Sequence, residues 1–218
     1  MRQLTLDLQP AAPPSLENYV TGSNGEALTA LAAWLAADNR EALFFLCGER
    51  GAGKSHLLQA CADAYGDARL DPGLAQLPAT ADIWAVDHLE MLDDGGQIVL
   101  FNLINRLRTG GGRLLLAASL PPRLLELRED LRTRLASGLV YRLRCLSDRE
   151  KRAAFAAQAR ARGLDLSPAV IDYLFARAPR DMRSLTQLLR AIDQFSLEHQ
   201  RPITLPLLRA VLQSAPPT

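Results

Sequence analysis

Apolar residues return at helical spacing along residues 26–37, with Leu28, Leu31, Ala32 and Leu35 on one face, which predicts an amphipathic helix. The period then breaks. Residues 42–47 are a short apolar run ending at Gly48, read as a buried strand, and residues 54–64 are helical again. A second buried strand is predicted over 83–86, closed by Asp87, and a helix over 97–107, stopped by three successive glycines from Gly110. Strands over 114–118 and 139–143 complete the set, with an arginine-rich helix before the last of them. Continuous apolar strands separated by helix-length segments predict an α/β fold, a parallel sheet covered on both faces.

After Leu146 the strands stop. Ser147 and Glu150 form a capping-box pattern opening a helix to about Arg162, and Ser167-Pro168 a cap with a proline in the first helical position, opening a helix to about Ala178. Helices over 182–199 and 205–213 follow, so this part is an all-helical domain. Charge divides at the same place: residues 1–147 carry a net −3 and residues 148–218 a net +4. The expected organisation is a terminal peptide and linker over 1–14, a base domain over 15–146 and a helical domain over 147–218.

Composition narrows the class. At 48% hydrophobic and 22% charged, the chain resembles an ordinary soluble globular protein, and a net charge of +1 argues against a strongly basic surface. No apolar run approaches the ~18 residues of a membrane span, and the first ten residues carry no signal-peptide pattern, which predicts a cytoplasmic protein. The three cysteines are too scattered for a metal cluster.

The strongest chemical signal is Gly48-Glu49-Arg50-Gly51-Ala52-Gly53-Lys54-Ser55, which fits G-x-x-x-x-G-K-S/T at every fixed position, between a predicted strand and a predicted helix. Gly51 and Gly53 permit the backbone angles that turn successive N–H groups onto phosphates, and the helix N-terminus adds partial positive charge. Lys54 is expected to reach the β and γ phosphates and Ser55 to ligate Mg²⁺, with Ala52 and His56 completing the loop's contacts to ADP or ATP. Asp87, at the end of its strand, is the expected second Mg²⁺ ligand. His88 follows it where many P-loop ATPases carry a water-activating glutamate, and Glu90 is near in sequence. Ser119, ending the 114–118 strand, is a candidate γ-phosphate sensor.

This order of strand, P-loop, helix, acidic strand end, polar strand end and helical bundle resembles the AAA+ family, whose small helical domain is a lid. The resemblance implies a sensor arginine at the start of the third lid helix, where Arg183 is the choice and Arg180 its rival. Within AAA+, residues 15–24, including Tyr19, Val20, Gly22 and Asn24, resemble the segment of the DnaA family that walls the adenine pocket, so Tyr19 and Val20 are expected to contact the base. Residues 131–138 resemble the arginine-finger stretch of that family, which puts Arg134 in the finger role, with Arg132 on a different face of the helix. No room remains for a DnaA-type DNA-reading domain. Gln3-Leu4-Thr5-Leu6-Asp7-Leu8 is similar to peptides that dock on the replication sliding clamp: Leu4, Leu6 and Leu8 share one side of an extended chain and Gln3 offers amide hydrogen bonds.

Together these features resemble the regulatory branch of the DnaA/Hda family. That resemblance implies a negative regulator of replication initiation, bound to the clamp through residues 3–8, which stimulates hydrolysis of DnaA-bound ATP by an arginine finger in trans. It also implies contact with DNA mainly through the clamp, weak intrinsic turnover at most, and room for a homodimer. A helicase loader of the DnaC type and a free-standing P-loop ATPase are the alternatives.

Overall fold

The computed structural model describes residues 13–36, 39, 41–177 and 181–199; the clamp-like peptide (Gln3, Leu4, Leu6, Leu8), Arg180 and the helix expected over 205–213 lie outside the described residues. The chain divides into two units, one spanning Pro13–Cys145 and the other holding the described residues from Leu146 onward.

The first unit is built on a five-stranded sheet ordered β2-β3-β4-β1-β5, with every adjacent pair parallel. The strands are β1 Leu43–Cys47, β2 Ala64–Asp67, β3 Ile83–Asp87, β4 Arg113–Ala118 and β5 Leu139–Arg142. Side chains alternate across it. Phe44, Leu46, Ala85, Leu115 and Ala117 face a core with helices α1 Gly25–Leu35 and α2 Lys54–Cys61, while Phe45, Trp84, Val86, Leu114 and Leu116 face a second core with α3 Asp94–Gly110 and α4 Glu129–Ala136. The sheet is therefore sandwiched by helices, as its uninterrupted apolar strands require.

Three local expectations need correction. The α2 helix ends at Cys61, and the residues read as its tail begin an unforeseen strand, β2, only four residues long. Edge pairing with β3 stabilises β2, in register from Ala64 opposite Trp84 to Asp67 opposite Asp87. In α1 the buried face is Ala27, Leu31 and Trp34, and Ala32 is exposed. Trp34 donates from its indole to the Glu41 carbonyl (2.7 Å), and its bulk sets the rotation of the helix. Finally, α3 starts at Asp94 rather than at the expected Gln97 and takes in the Gly95-Gly96 pair. Asp93 caps it, accepting from Gly96 N at 2.7 Å, and a Cβ at residue 96 would meet the Pro72 carbonyl oxygen at 2.0 Å. That glycine serves close approach rather than a turn.

The second unit packs α5 Asp148–Ala161, α6 Pro168–Phe175 and α7 Met182–His199 around Phe155, Leu174, Phe175, Leu185 and Leu189. Both halves of the capping box form: Ser147 Oγ accepts from Glu150 N (3.3 Å), and Ser147 N donates to Glu150 Oε2 (2.8 Å). Ser167 caps α6 ahead of Pro168. Among the described residues, no helix is long and apolar enough to cross a membrane.

Candidate functional site

The loop between β1 and α2 opens at the C-terminal edge of the sheet, where polar groups can converge without breaking the strand ladder. Its glycines take angles that side chains resist: Gly48 has φ +147°, Gly51 +89° and Gly53 +92°. A Cβ on Gly48 would also sit 2.3 Å from the Leu143 carbonyl oxygen, so the loop's first residue is held against the chain leaving β5. Lys54 is only 8% exposed, and its ammonium donates to the Gly48 carbonyl (2.6 Å) and the Glu49 carbonyl (3.0 Å). The cation thus lies inside the loop, where a phosphate would exchange with those carbonyls. Ser55 stands in the first turn of α2.

Residues 15–24 close one side of this loop. The Tyr19 hydroxyl donates to the Ala52 carbonyl at 3.1 Å, and the tyrosine ring lies tilted against His56, centroids 5.6 Å apart. His56 Nε2 is 2.9 Å from the Ser15 carbonyl, so this histidine ties α2 to the segment before α1. Asn24, buried at 4% exposure, donates to the Arg144 carbonyl (3.0 Å) and accepts from Arg144 N (2.8 Å). Its two-way bond fastens the start of α1 to the chain beyond β5, and the adjacent Tyr19 hydroxyl is within 3.4 Å. Burial pushes the Tyr19 phenol above its ordinary value. Val20 is half-buried beside Tyr19 in the chain.

Asp87 ends β3 with its side chain fully buried. Tyr65, on β2, donates its hydroxyl to Oδ2 at 3.1 Å, and the His88 amide donates to Oδ1 at 2.9 Å. No lysine or arginine forms an ion pair with Asp87 among the described residues; the His88 ring lies beside it, Nδ1 3.3 Å from Oδ1. The same Nδ1 is 3.2 Å from Asp67 Oδ1. The Arg69 hydrogen bond holds the Asp67 carboxyl below the ordinary carboxylate value. Burial, and then the charge of Asp87, push the Tyr65 phenol upward, so it remains a protonated donor at neutral pH. A buried carboxylate without a lysine or arginine partner suits a divalent cation, and Ser55 and Asp87 are the residues that could hold one with a nucleotide.

His88 takes the left-handed conformation (φ +56°), which turns the chain so that Glu90 points back across the sheet edge. Both carboxylate oxygens of Glu90 lie 3.3 Å from the Ser119 amide at the end of β4. Because Ala118 pairs with Cys47, Ser119 stands beside the strand that enters the glycine loop. The structure thus gathers Tyr19, Gly48–Ser55, Asp87 and Ser119 at one edge.

Arg134 lies elsewhere. It is in the last turn of α4, at the opposite end of the strands, where Gly138 approaches Leu43 so closely that a Cβ there would sit 2.6 Å from Leu43 Cβ. The five residues of β1 separate the two edges by about 13 Å of strand. The Arg134 guanidinium stacks over the Phe101 ring at 4.5 Å and lines an open groove of about 1800 Å³ shared with Arg108, Arg113 and Arg128. Arg183 is exposed in the first turn of α7, in the other unit.

Sequence reasoning assigned no role to Tyr65, Asn24 or Glu90. Asn24 stood in a quoted motif, but only the fold shows that it clamps Arg144. Tyr65 sits on a short strand that the sequence pattern did not announce, and the direction of Glu90 depends on the left-handed turn at His88.

Residues 148–212 match the family described as Hda, lid domain. Among solved structures, domain III of the Thermotoga maritima replication initiation protein DnaA superposes with a TM-score of 0.70 at 20% identity, over 94% of this chain and 98% of that one. AMPPCP-bound DnaA from Aquifex aeolicus gives 0.68 at 21% identity, over 89% and 71%. The Thermotoga maritima RuvB Holliday junction branch migration motor gives 0.63 at 18% identity, over 93% and 71%.

Proposed function

We infer that this chain is an AAA+ protein of the Hda/DnaA family and a nucleotide-binding negative regulator of replication initiation; the match of residues 148–212 to the Hda lid domain and the likeness of the fold to DnaA support the reading. ADP or ATP with Mg²⁺ occupies the loop of residues 48–55, with Tyr19, Val20, His56 and Ser119 around it and Arg183 as the lid's arginine. Mg²⁺, when bound, draws the phosphate charge together. Ser55 and Asp87 hold it, and Lys54 neutralises the phosphates beside it. Arg134 acts on ATP held by DnaA, and the peptide carrying Gln3, Leu4, Leu6 and Leu8 docks the chain on the sliding clamp.

The observation that carries this reading is the separation of Arg134 from the chain's own glycine loop by the length of the sheet. A guanidinium at that edge cannot serve its own nucleotide and is free to serve another subunit's. Arginine suits the work, being planar, permanently charged and matched to phosphate oxygens. The test is conversion of DnaA-bound ATP to ADP in the presence of DNA-loaded clamp. The parent chain is expected to stimulate conversion and Arg134→Ala to lose that stimulation; an equally active Arg134→Ala sinks the reading.

A free-standing ATPase is the second reading, favoured by Glu90, whose carboxylate faces the end of β4. Robust turnover by the isolated chain, abolished by Glu90→Gln, would put it first.

A further inference from the structure

We propose that Tyr65 is a positioning residue for the cation site: through its hydroxyl it fixes the orientation in which the Asp87 carboxylate meets a nucleotide-bound Mg²⁺. The proposal rests on the reading of Asp87 as the ion's ligand and adds a residue from a strand that carries none of the motifs.

Asp87 is fully buried, so water is not at hand to satisfy whichever oxygen lacks a protein partner. Its two oxygens are instead claimed separately. The His88 amide is bound to Oδ1 and cannot move without moving the backbone, whereas Oδ2 depends on one side chain, the Tyr65 hydroxyl. Each oxygen keeps a second lone pair. With both donors in place, the carboxylate plane is fixed about the Cβ–Cγ bond, and the remaining lone pairs keep their directions. Without the hydroxyl, a buried acceptor is left unsatisfied and the group is free to rotate toward another partner, such as the His88 ring 3.3 Å from Oδ1.

Tyr65 is carried by β2, the edge strand beside β3. Backbone pairing of β2 with β3, Tyr65 opposite Ala85 and Asp67 opposite Asp87, sets the reach of the phenol. Orienting second partners of this kind are typical of metal-binding carboxylates, and their loss weakens the metal rather than the fold.

The experiment is calorimetric titration of ADP into the full chain, with Mg²⁺ and with EDTA, for the parent, Tyr65→Phe and Asp87→Asn. Phenylalanine keeps the ring and its packing and removes only the donor. Tyr65→Phe is expected to lose roughly three- to tenfold of the Mg²⁺-dependent gain in ADP affinity, the net worth of one ordinary hydrogen bond, while affinity in EDTA stays at the parent value. The unchanged EDTA value separates positioning from damage to the fold. Manganese substituted for magnesium gives a second readout: the electron-spin spectrum of the Mn²⁺–ADP complex should differ between the parent and Tyr65→Phe. If Tyr65→Phe keeps the full Mg²⁺ gain while Asp87→Asn loses it, the proposal is overturned and the site reading stands. If Asp87→Asn also keeps the gain, Asp87 is not the ligand and both fall.

Discussion

The two edges of the sheet are built on opposite principles. At the C-terminal edge three polar side chains are each held more than once: Lys54 by two carbonyls, Asp87 by a phenol and an amide, and Asn24 by both backbone groups of Arg144. At the N-terminal edge Arg134 rests on one aromatic face in an open groove. Buried polar groups are costly unless paired, so the first edge can exist only as an organised network. A partly exposed guanidinium on a ring is held by about 0.5–1 kcal/mol and leaves its perch cheaply. A site that retains a ligand needs the first arrangement, and a group that works on another molecule needs the second.

Arg134→Ala tests that contrast most strongly. Stimulation of hydrolysis of DnaA-bound ATP should fall by ~10³-fold or more, the range known for arginine fingers. ADP binding by the chain itself, measured by calorimetry, should not change, because the nucleotide loop lies at the other edge. A parallel loss of ADP affinity would mean that the two edges are not independent. Lys54→Ala should do the reverse, weakening ADP binding by roughly tenfold or more through loss of a charge-assisted contact.

Asn24→Ala probes the network without removing a phosphate contact. It removes two part-buried hydrogen bonds, to the N–H and the carbonyl of Arg144, and thermal or urea unfolding should show a loss of about 1–3 kcal/mol. A loss under about 0.5 kcal/mol would make the clamp between α1 and the end of β5 dispensable. Arg132→Ala is the smallest change: two residues from Arg134 and on another face of the same helix, it should shift stability by less than about 0.5 kcal/mol and leave stimulation intact. Equal losses from Arg132→Ala and Arg134→Ala would mean that the edge acts by charge alone and not by one placed guanidinium.

Much of the fold was legible in the chain because its physics is local. The runs that became β1, β3 and β4 are apolar without interruption, and only a strand buried on both faces uses such a run at that length. Ser147 with Glu150, and Ser167 with Pro168, announced their helices because caps are satisfied within one turn. The glycine loop was legible because its backbone angles exclude most other residues at Gly51 and Gly53.

What escaped was decided at a distance. The β2 strand is four residues, Ala-Tyr-Gly-Asp, without alternation or a long apolar run, and it is a strand because β3 offers it an edge. The rotation of α1 followed the fit of Trp34 under Arg113, whose guanidinium donates to the Trp34 carbonyl at 2.6 Å, and not the count of apolar residues. Tyr65 met Asp87, Glu90 met Ser119 and Asn24 met Arg144 across 22, 29 and 120 residues of sequence. Residue types and spacing determined that this chain carries a glycine-rich loop between a strand and a helix, a carboxylate at a strand end and capped helices, since each is a property of a few consecutive residues. Only the tertiary structure decided which groups hold that carboxylate and at which edge Arg134 stands, because strand order and register, not sequence distance, determine what can meet.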